Sequence, residues 1–261
     1  MGELPPLHAS EVKLYQACPR KWVYAYLLRR VSVNESIHLT RGKQVHQFLE
    51  DWWKGAYDLL PSDIISKACC IAYDAYWGSP TMGTWYTEVP WEEEIAGVAC
   101  AGTLDALQRA FSTETIVEHK TTSQDISPGS MYWRQVVTTD VQVSMYRAAF
   151  PGATILYDVI RKPALRQKKD EHETDFLVRL IEAMAAKPEE YFQRATVVRL
   201  ESEDEAFYAD LVSVDRLRHG KEHPRNPSSC FNYGSRCEYF DVCWGSQSIT
   251  DDSVFKDREI R

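Results

Sequence analysis

Two acidic residues and a lysine in the middle of the chain have the types and spacing that phosphodiester hydrolysis requires. Asp105 ends one apolar run, and Glu118 and Lys120 lie two residues apart in the next. Because side chains alternate along a strand, Glu118 and Lys120 point to the same face, and a paired neighbouring strand can bring Asp105 opposite them. Two carboxylates offer oxygen ligands to Mg²⁺ or Mn²⁺, and the lysine can hold or activate a water. The residues therefore predict a metal-dependent hydrolytic site.

The acidic-x-lysine triplet is a weak signal when it stands alone. In a chain with 38 acidic residues such a triplet arises roughly twice by chance. A second copy, Glu11-Val12-Lys13, lies in a segment of helical character. A surface ion pair therefore competes with the catalytic interpretation of Glu118 and Lys120. With the strand context and the upstream Asp105, the catalytic interpretation and the ion-pair interpretation are equally well supported.

Three further polar residues can join this set. Gln142 and Tyr146 are four residues apart on a predicted helix, so both face one side of it. His46 lies beside Val45 and Phe48 on an apolar helical stripe. Packing contacts would account for each residue separately. A neutral imidazole is nevertheless also a suitable third ligand for Mn²⁺ beside two carboxylates.

Four of the seven cysteines predict a second metal centre. Cys230, Cys237 and Cys243 are spaced C-x6-C-x5-C in a loop-rich segment, and Cys18 stands alone near the N-terminus. Four thiolates can bind Zn²⁺ or an iron–sulfur cluster, and here they would fasten the two ends of the chain together. The spacing alone leaves the choice of metal open. The remaining cysteines lie among apolar residues and are predicted core thiols: Cys69, Cys70 and Cys100.

Hydrophobic periodicity predicts the helices and strands that position these residues. The predicted helices cover about 10–17, 20–28, 40–52, 62–77, 133–150, 173–186 and 203–219. The predicted strands cover about 87–95, 98–109, 115–121 and 154–160. The first three strands read as an antiparallel meander, and the crossover helix before the fourth implies a right-handed parallel pairing against it. The result is an α/β core of mixed sheet with helices before and after it.

Length and composition are those of an ordinary globular protein. The 261 residues fit one domain, with a helical part over 1–80, a core over 85–165, a helical cysteine-bearing part over 170–245 and a tail over 246–261. No run reaches the roughly 18 apolar residues of a membrane span. The N-terminus also lacks a secretion signal, so we expect the protein in the cytoplasm.

The charge distribution leaves the question of a polyanionic partner open. The formal net charge of −8 argues against such a partner, but net charge is a weak test because acidic residues can gather at one site. The basic residues cluster near residues 20–43 and 162–169. A local path that binds phosphate groups would explain these clusters. Helix faces that are merely solvated would explain them equally well.

Taken in order, the motifs resemble those of the RecB-like branch of the PD-(D/E)XK nuclease superfamily. The matching elements are Gly42-x-x-x-His46, Gly102-Thr103-Leu104-Asp105, Glu118-x-Lys120 and Gln142-x-x-x-Tyr146. The resemblance covers about residues 10–245 and implies a restriction-endonuclease-like core. It implies a catalytic Mg²⁺ or Mn²⁺ held by His46, Asp105, Glu118 and the carbonyl of His119. It also implies that Lys120 assists the attacking water, while Gln142 and Tyr146 position the phosphate or the lysine.

One cysteine before these motifs and three after them is the arrangement of the iron-staple nucleases. These include the AddB nuclease domain and the RecB-like exonucleases associated with CRISPR adaptation. The resemblance implies a structural [4Fe–4S] cluster on Cys18, Cys230, Cys237 and Cys243, although the x6 gap exceeds the x2 of many members.

The resemblance also implies the substrate, which is DNA with a free or frayed single-stranded end, cut by exonuclease action. Arg20, Lys21 and Arg134 are candidates for contact with the DNA backbone. The pathway, whether phage replication, recombination, repair or CRISPR adaptation, stays open, as do protein partners. Two alternatives are a non-catalytic nucleic-acid-binding subunit and a Cys₄ zinc-stabilised scaffold.

Overall fold

The computed structural model describes residues 4–56, 59–78, 84–110, 113–232 and 235–259. The chain divides into two compact units. The terminal unit comprises residues 1–35, 92–102 and 204–261, and the central unit comprises 36–91 and 103–203. The proposed single domain over 1–261 stays a prediction.

The helices follow the predicted pattern in most of the described chain. They are α1 (Ala9–Ala17), α2 (Pro19–Trp22), α3 (Ile37–Trp53), α4 (Ile64–Trp77), α5 (Met131–Thr139), α6 (Val141–Ala149), α7 (Glu173–Ala186), α8 (Glu201–Arg218) and α9 (Phe240–Cys243). A π-helical turn, Val23–Leu27, continues α2. Side-chain caps fix the starts of α3 and α4, since Ser36 and Asp63 each accept a hydrogen bond from a backbone N–H in the first turn.

The predicted mixed sheet is confirmed, and it has one more strand than the periodicity indicates. The strands are β1 (Arg30–Ser32), β2 (Thr84–Ile95), β3 (Val98–Ala110), β4 (Thr113–Thr122), β5 (Thr154–Arg161), β6 (Phe192–Thr196), β7 (Phe231–Asn232), β8 (Ser235–Arg236) and β9 (Phe255–Asp257). The main sheet has the order β2-β3-β4-β5-β6. Strands β3 and β4 pair antiparallel, β4 and β5 parallel, and β5 and β6 antiparallel. The unpredicted β6 is only five residues long, too short for a clear period.

The prediction of one continuous helix over 133–150 is wrong. The segment forms two helices, α5 and α6, that break at Asp140. The Asp140 carboxylate accepts a hydrogen bond from the backbone N–H of Gln142 at 2.9 Å, which caps α6. Its second oxygen accepts one from the Tyr157 hydroxyl at 2.7 Å. A buried aspartate that accepts two hydrogen bonds thus lies at the end of one helix and caps the next.

In the central unit the strands separate two cores. One core includes side chains of α3, α4 and α7, such as Trp52, and receives Val117 from β4. The other includes Tyr146 of α6 and receives Ile116 from β4. Because neighbouring strand residues enter opposite cores, the two faces of β4 have different partners. This alternation decides where the polar residues of β4 point.

The terminal unit joins the first and last segments of the chain. Strands β1 and β9 pair antiparallel, and a small core packs Tyr24 with Tyr239 and Phe255. A buried ionic group ties α1 to α8, since Arg218 lies 3.3 Å from a Glu11 oxygen that also accepts from Trp22. Within the described residues, none of the helices has the length and apolar character needed to cross a membrane.

Candidate functional site

Adjacent strands bring the two predicted acids and the lysine together in the central unit. The register of β3 and β4 sets Ala106 opposite Val117, which places Asp105 beside Glu118. The Asp105 carboxylate accepts a hydrogen bond from the backbone N–H of His119 at 2.8 Å. The Lys120 ammonium donates to Glu118 Oε1. The alternation expected for Glu118 and Lys120 is thus present, and Asp105 is tied directly to their strand.

Helix α6 adds an amide and a phenol to this group. Gln142 donates to Glu118 Oε2 at 2.9 Å and to the Tyr146 hydroxyl at 2.7 Å. Its amide oxygen accepts a hydrogen bond from Lys120 at 2.9 Å. The Tyr146 hydroxyl lies 3.0 Å from both Glu118 Oε2 and the Thr103 carbonyl, and its single hydrogen can serve either. Gln142 therefore holds the acid and the lysine at once.

Helix α3 approaches the same strand ends from the other direction. His46 Nδ1 lies 3.6 Å from Asp105 Oδ1. One turn earlier, a Cβ built on Gly42 would stand 3.6 Å from the Thr121 hydroxyl, an ordinary contact distance. Helix and strand are therefore within contact distance here, and a side chain with a Cβ would also fit. The predicted Gly-x-x-x-His element and the acids therefore meet.

The charges of Asp105 and His46 support each other. Burial alone would raise the pKa of Asp105, but the contact with His46 and the charges of His46 and Lys120 outweigh it and lower the pKa to about 2. Burial lowers the pKa of His46, while Asp105 and Glu118 more than offset this and raise it. An ionised Asp105 is thus maintained over the whole neutral range.

Glu118 is buried and pairs with Lys120, which is partly exposed, so burial acts most strongly on the acid. Burial, assisted by the charges of Asp105 and Asp140, raises the pKa of Glu118 to about 7 despite the lysine. Burial would lower the pKa of Lys120, yet Glu118, Asp140 and Asp105 raise it above its usual value. Lys120 is therefore charged at neutral pH, and negative groups outnumber it in a largely buried site.

The donor set suits a divalent cation. Two carboxylates and an imidazole supply oxygen and nitrogen ligands, and a cation would favour the ionised form of Glu118, whose pKa is raised by burial and by the neighbouring carboxylates. In the described part of the chain, no three His, Cys, Asp or Glu side chains are already arranged to hold a metal ion. Instead, Glu118 is turned toward Lys120 and Gln142. The assignment of His46, Asp105 and Glu118 as ligands stays a prediction.

Sequence reasoning missed Asp140 as a residue of this region. Besides capping α6, it contributes the negative charge that raises the pKa values of Glu118 and Lys120. Arg199 donates to its backbone carbonyl at 3.0 Å. An aspartate directly before an apolar helical run is a recognised N-cap signal, so the sequence does contain a hint of this break.

The four distant cysteines line one cavity in the terminal unit. Other residues around it include Asn226, Tyr239 and Trp244. All four thiols are free of disulfide bonds. The Cys18 sulfur accepts a hydrogen bond from the backbone N–H of Asn226 at 3.4 Å, and the Cys237 N–H donates to the Cys230 carbonyl at 2.8 Å. The contact between chain ends predicted from the cysteine pattern is therefore present.

The thiols of this cavity influence one another. Burial raises the pKa of Cys243, and Cys18 and Cys230 raise it further, while Tyr24 and Arg20 lower it. Burial also raises the pKa of Cys237. Closely placed thiols that resist ionisation as free groups would gain from a metal centre that stabilises their thiolate form.

The predicted backbone-contacting residues are partly engaged within the protein. Arg20 donates to the His223 carbonyl at 2.9 Å, and Lys21 forms an ion pair with Glu238 at 2.9 Å. The side chain of Arg134 is exposed on α5. The core-thiol interpretation is confirmed by the complete burial of the remaining cysteines, Cys69, Cys70 and Cys100.

Comparison with known proteins gives a family and a fold. The family described as the PD-(D/E)XK nuclease superfamily matches residues 6–244. A candidate exonuclease from Eubacterium rectale has a similar structure, with 13% identity, a TM-score of 0.53, and coverage of 93% of this chain and 88% of that one. The structure of SSO0001 matches at 15% identity and a TM-score of 0.46, over 88% and 83% of the two chains. No curated protein sequence matches this chain.

Proposed function

This chain belongs to the PD-(D/E)XK nuclease superfamily, and we propose that it is a metal-dependent deoxyribonuclease that digests DNA from single-stranded or frayed ends. The observation that carries this proposal is the bonding of Gln142, which contacts both Glu118 and Lys120. A surface ion pair would not need a third, partly buried residue to orient both partners. The arrangement instead suits an acid and a lysine that must keep a fixed relation to a substrate.

The proposed metal ligands are His46, Asp105, Glu118 and the His119 carbonyl. When bound, Mg²⁺ or Mn²⁺ would supply charge neutralisation at the scissile phosphate and a lowered pKa for a coordinated water. Asp105 is suited to this role because it stays ionised at neutral pH. Glu118 Oε1 now accepts a hydrogen bond from Lys120 and would bind the metal in place of that contact.

Lys120 is the residue that we assign to the attacking water and the developing phosphate charge. In the metal-free site its pKa is raised, chiefly by Glu118, so it carries a proton at neutral pH and can donate a hydrogen bond to the water or to a phosphate oxygen. The Gln142 amide oxygen keeps the ammonium in place through its 2.9 Å hydrogen bond. Tyr146 in turn fixes the Gln142 amide, which limits the positions that the lysine can take.

Support for exonuclease action comes from the RecB-like order of the motifs and from the name of the similar Eubacterium rectale structure, a candidate exonuclease. The test compares equal amounts of linear single-stranded DNA, circular single-stranded DNA and linear RNA, each with Mn²⁺. We expect digestion of the linear DNA alone. Cutting of the circle at the same rate would indicate an endonuclease, and preference for RNA would contradict the substrate. No digestion by a protein with its cysteine centre intact would indicate a non-catalytic binding subunit.

For the cysteine cavity, we propose a structural [4Fe–4S] cluster on Cys18, Cys230, Cys237 and Cys243. All four cysteines line one cavity, as a Cys₄ centre requires. The order of one cysteine before the nuclease motifs and three after them, which resembles the iron-staple nucleases, favours the cluster over a single Zn²⁺. Because four cysteines would occupy all four irons, we assign the cluster no redox step in the hydrolysis.

Absorbance and metal analysis test this cofactor. A brown protein that absorbs near about 400 nm and contains iron and acid-labile sulfide is expected. A colourless, oxygen-stable protein that contains zinc would contradict the cluster while leaving the nuclease assignment untouched.

A further inference from the structure

The reverse face of β4 carries a buried polar group that the proposed reaction does not use directly. His119 lies between the acid and the lysine of the candidate site but points to the opposite face, where it is 2% exposed. Strand pairing sets Asp158 of β5 beside it, and Arg194 of β6 beside Asp158. Asp158 Oδ2 lies 3.3 Å from His119 Nδ1 and 3.2 Å from Arg194 Nε. The Tyr73 hydroxyl donates to the same oxygen.

Such a group is costly to bury. Asp158 is fully buried, and the contacts of His119 Nδ1 and Arg194 Nε with it are close in distance but lack the alignment of hydrogen bonds. Apolar side chains of similar size would often give an equally stable core. The polar group is therefore better explained by the position that it imposes on β4 than by a gain in stability.

Trp53 of α3 fixes how the His119 ring takes part. Its indole N–H donates to His119 Nε2 at 2.7 Å, so Nε2 is the accepting nitrogen and the ring proton sits on Nδ1, facing Asp158. The indole on the helix thus holds the ring by a hydrogen bond, and the carboxylate on the next strand lies 3.3 Å from its Nδ1. Since Trp53 lies on α3, the contact also ties that helix to β4.

His119 touches the candidate site in three ways. Its backbone N–H donates to Asp105 at 2.8 Å. Its ring packs edge-to-face against the ring of His46, with 6.1 Å between centroids. Its two chain neighbours are Glu118 and Lys120. A displacement of His119 would therefore move every predicted metal ligand.

We propose that Trp53 and Asp158 are positioning residues that hold the His119 ring and thereby set the distance between His46 on α3 and the acids on β3 and β4. This inference rests on the proposed function of the same site. The residues act through His119 and do not contact the substrate or the metal themselves. Their loss should lower the affinity for the metal while changing the melting temperature little, because such residues support the metal ligands and do not carry the fold.

Neighbouring tryptophans on α3 provide a matched test. Trp53→Phe removes the N–H that His119 accepts, whereas Trp52→Phe removes an N–H that donates to Asp74 at 2.8 Å. Both indoles are buried, so both substitutions leave a similar cavity. The full-length wild type and both variants would be titrated with Mn²⁺ alone, with free Mn²⁺ measured by electron paramagnetic resonance. Thermal unfolding would be measured in parallel.

We expect Trp53→Phe to raise the Mn²⁺ dissociation constant about tenfold and Trp52→Phe to change it less than about twofold, with similar losses in melting temperature. Asp158→Asn, which keeps the size of the side chain, should weaken Mn²⁺ binding in the same direction as Trp53→Phe. Equal Mn²⁺ affinities for the two tryptophan variants would overturn the inference. DNA digestion by the wild type is assayed separately. If the wild type digests DNA and the two tryptophan variants bind Mn²⁺ equally well, only the positioning role is contradicted. If the wild type binds Mn²⁺ but does not digest DNA, the proposed function is contradicted.

Discussion

The two polar centres of this protein are held in different ways. In the central unit, Glu118, Lys120, Gln142 and Tyr146 bond to one another directly, so the protein itself defines their positions. In the terminal unit, the four cysteines share a cavity, but the hydrogen bonds of their sulfur atoms go to other residues, such as the Asn226 N–H 3.4 Å from Cys18 and the Tyr24 hydroxyl 3.9 Å from Cys243. The first centre is preorganised by hydrogen bonds, while the second depends on whatever the cysteines bind. Loss of the cysteine centre should therefore damage the fold, and loss of the carboxylate centre should damage activity alone.

The largest expected effect comes from removing a cysteine of the cavity. Cys230→Ser should abolish the absorbance at about 400 nm and lower the melting temperature by about 10 °C or more. The reason is that the binding of a structural metal centre contributes directly to the free energy of folding. Spectroscopy and calorimetry measure both effects. The control is Cys100→Ser, in the same unit and completely buried. It should cost stability and keep the absorbance, and equal loss of absorbance in both variants would mean that the wrong cysteines were chosen.

Next in size is the removal of a proposed metal ligand. Asp105→Asn should lower the digestion rate about 1,000-fold, equivalent to about 4 kcal/mol, because a neutral amide is a poor ligand for Mg²⁺ or Mn²⁺. The melting temperature should change little. Asp74→Asn serves as the control, since its amide oxygen can still accept the hydrogen bond of Trp52. Comparable losses of rate in both variants would contradict the assignment of Asp105.

A smaller effect is expected at Gln142. Gln142→Ala removes the amide that holds Glu118 and Lys120, and misplaced catalytic groups should slow digestion about 10- to 100-fold. Rates at saturating Mn²⁺ isolate this effect from metal binding. The exposed Gln47 on α3 provides a control, because Gln47→Ala should leave the rate unchanged. A rate for Gln142→Ala equal to that of the wild type would show that the central unit does not need this bridge.

The smallest expected effect is a change in pH dependence. The folded-state pKa of Glu118 is raised from 4.5 to about 7, so its protonated form favours folding below pH 4.5, and this contribution is lost as pH rises through 7. Without divalent metal, Glu118→Gln should therefore gain stability relative to the wild type between pH 5 and 8, by a few degrees in melting temperature. A constant difference across this range would show that Glu118 does not titrate as described.

The comparison of the two centres also shows what the sequence could predict. The alternation of Glu118 and Lys120 and the spacing of Gln142 and Tyr146 depend only on local geometry, and both were predicted with the correct faces. The meeting of Cys18 with Cys230–Cys243 was also predictable, because three thiols need a fourth. The break at Asp140 had a local signal, an aspartate before an apolar helical run, but the bond from Tyr157 on a distant strand that also fixes Asp140 could not be predicted.

The partners of His119 were also beyond the sequence. Trp53 lies on α3 and Asp158 on β5, and neither belongs to a motif with a fixed spacing from His119. Strand β6 completes the group with Arg194, and this short strand was not predicted. Tertiary contacts of this kind depend on the order of strands in the sheet. That order follows from packing and not from a local pattern.

The most direct test of the account is the digestion of end-labelled single-stranded DNA with Mn²⁺ by the wild type and by Lys120→Ala. The wild type should degrade the DNA, and the variant should be slower by a factor of about 100 to 1,000, because the donor that serves the attacking water and the developing charge is lost. The variant should keep its cysteine-bound chromophore, its melting temperature and its ability to bind DNA. Digestion by Lys120→Ala at the wild-type rate would contradict the catalytic assignment of this site.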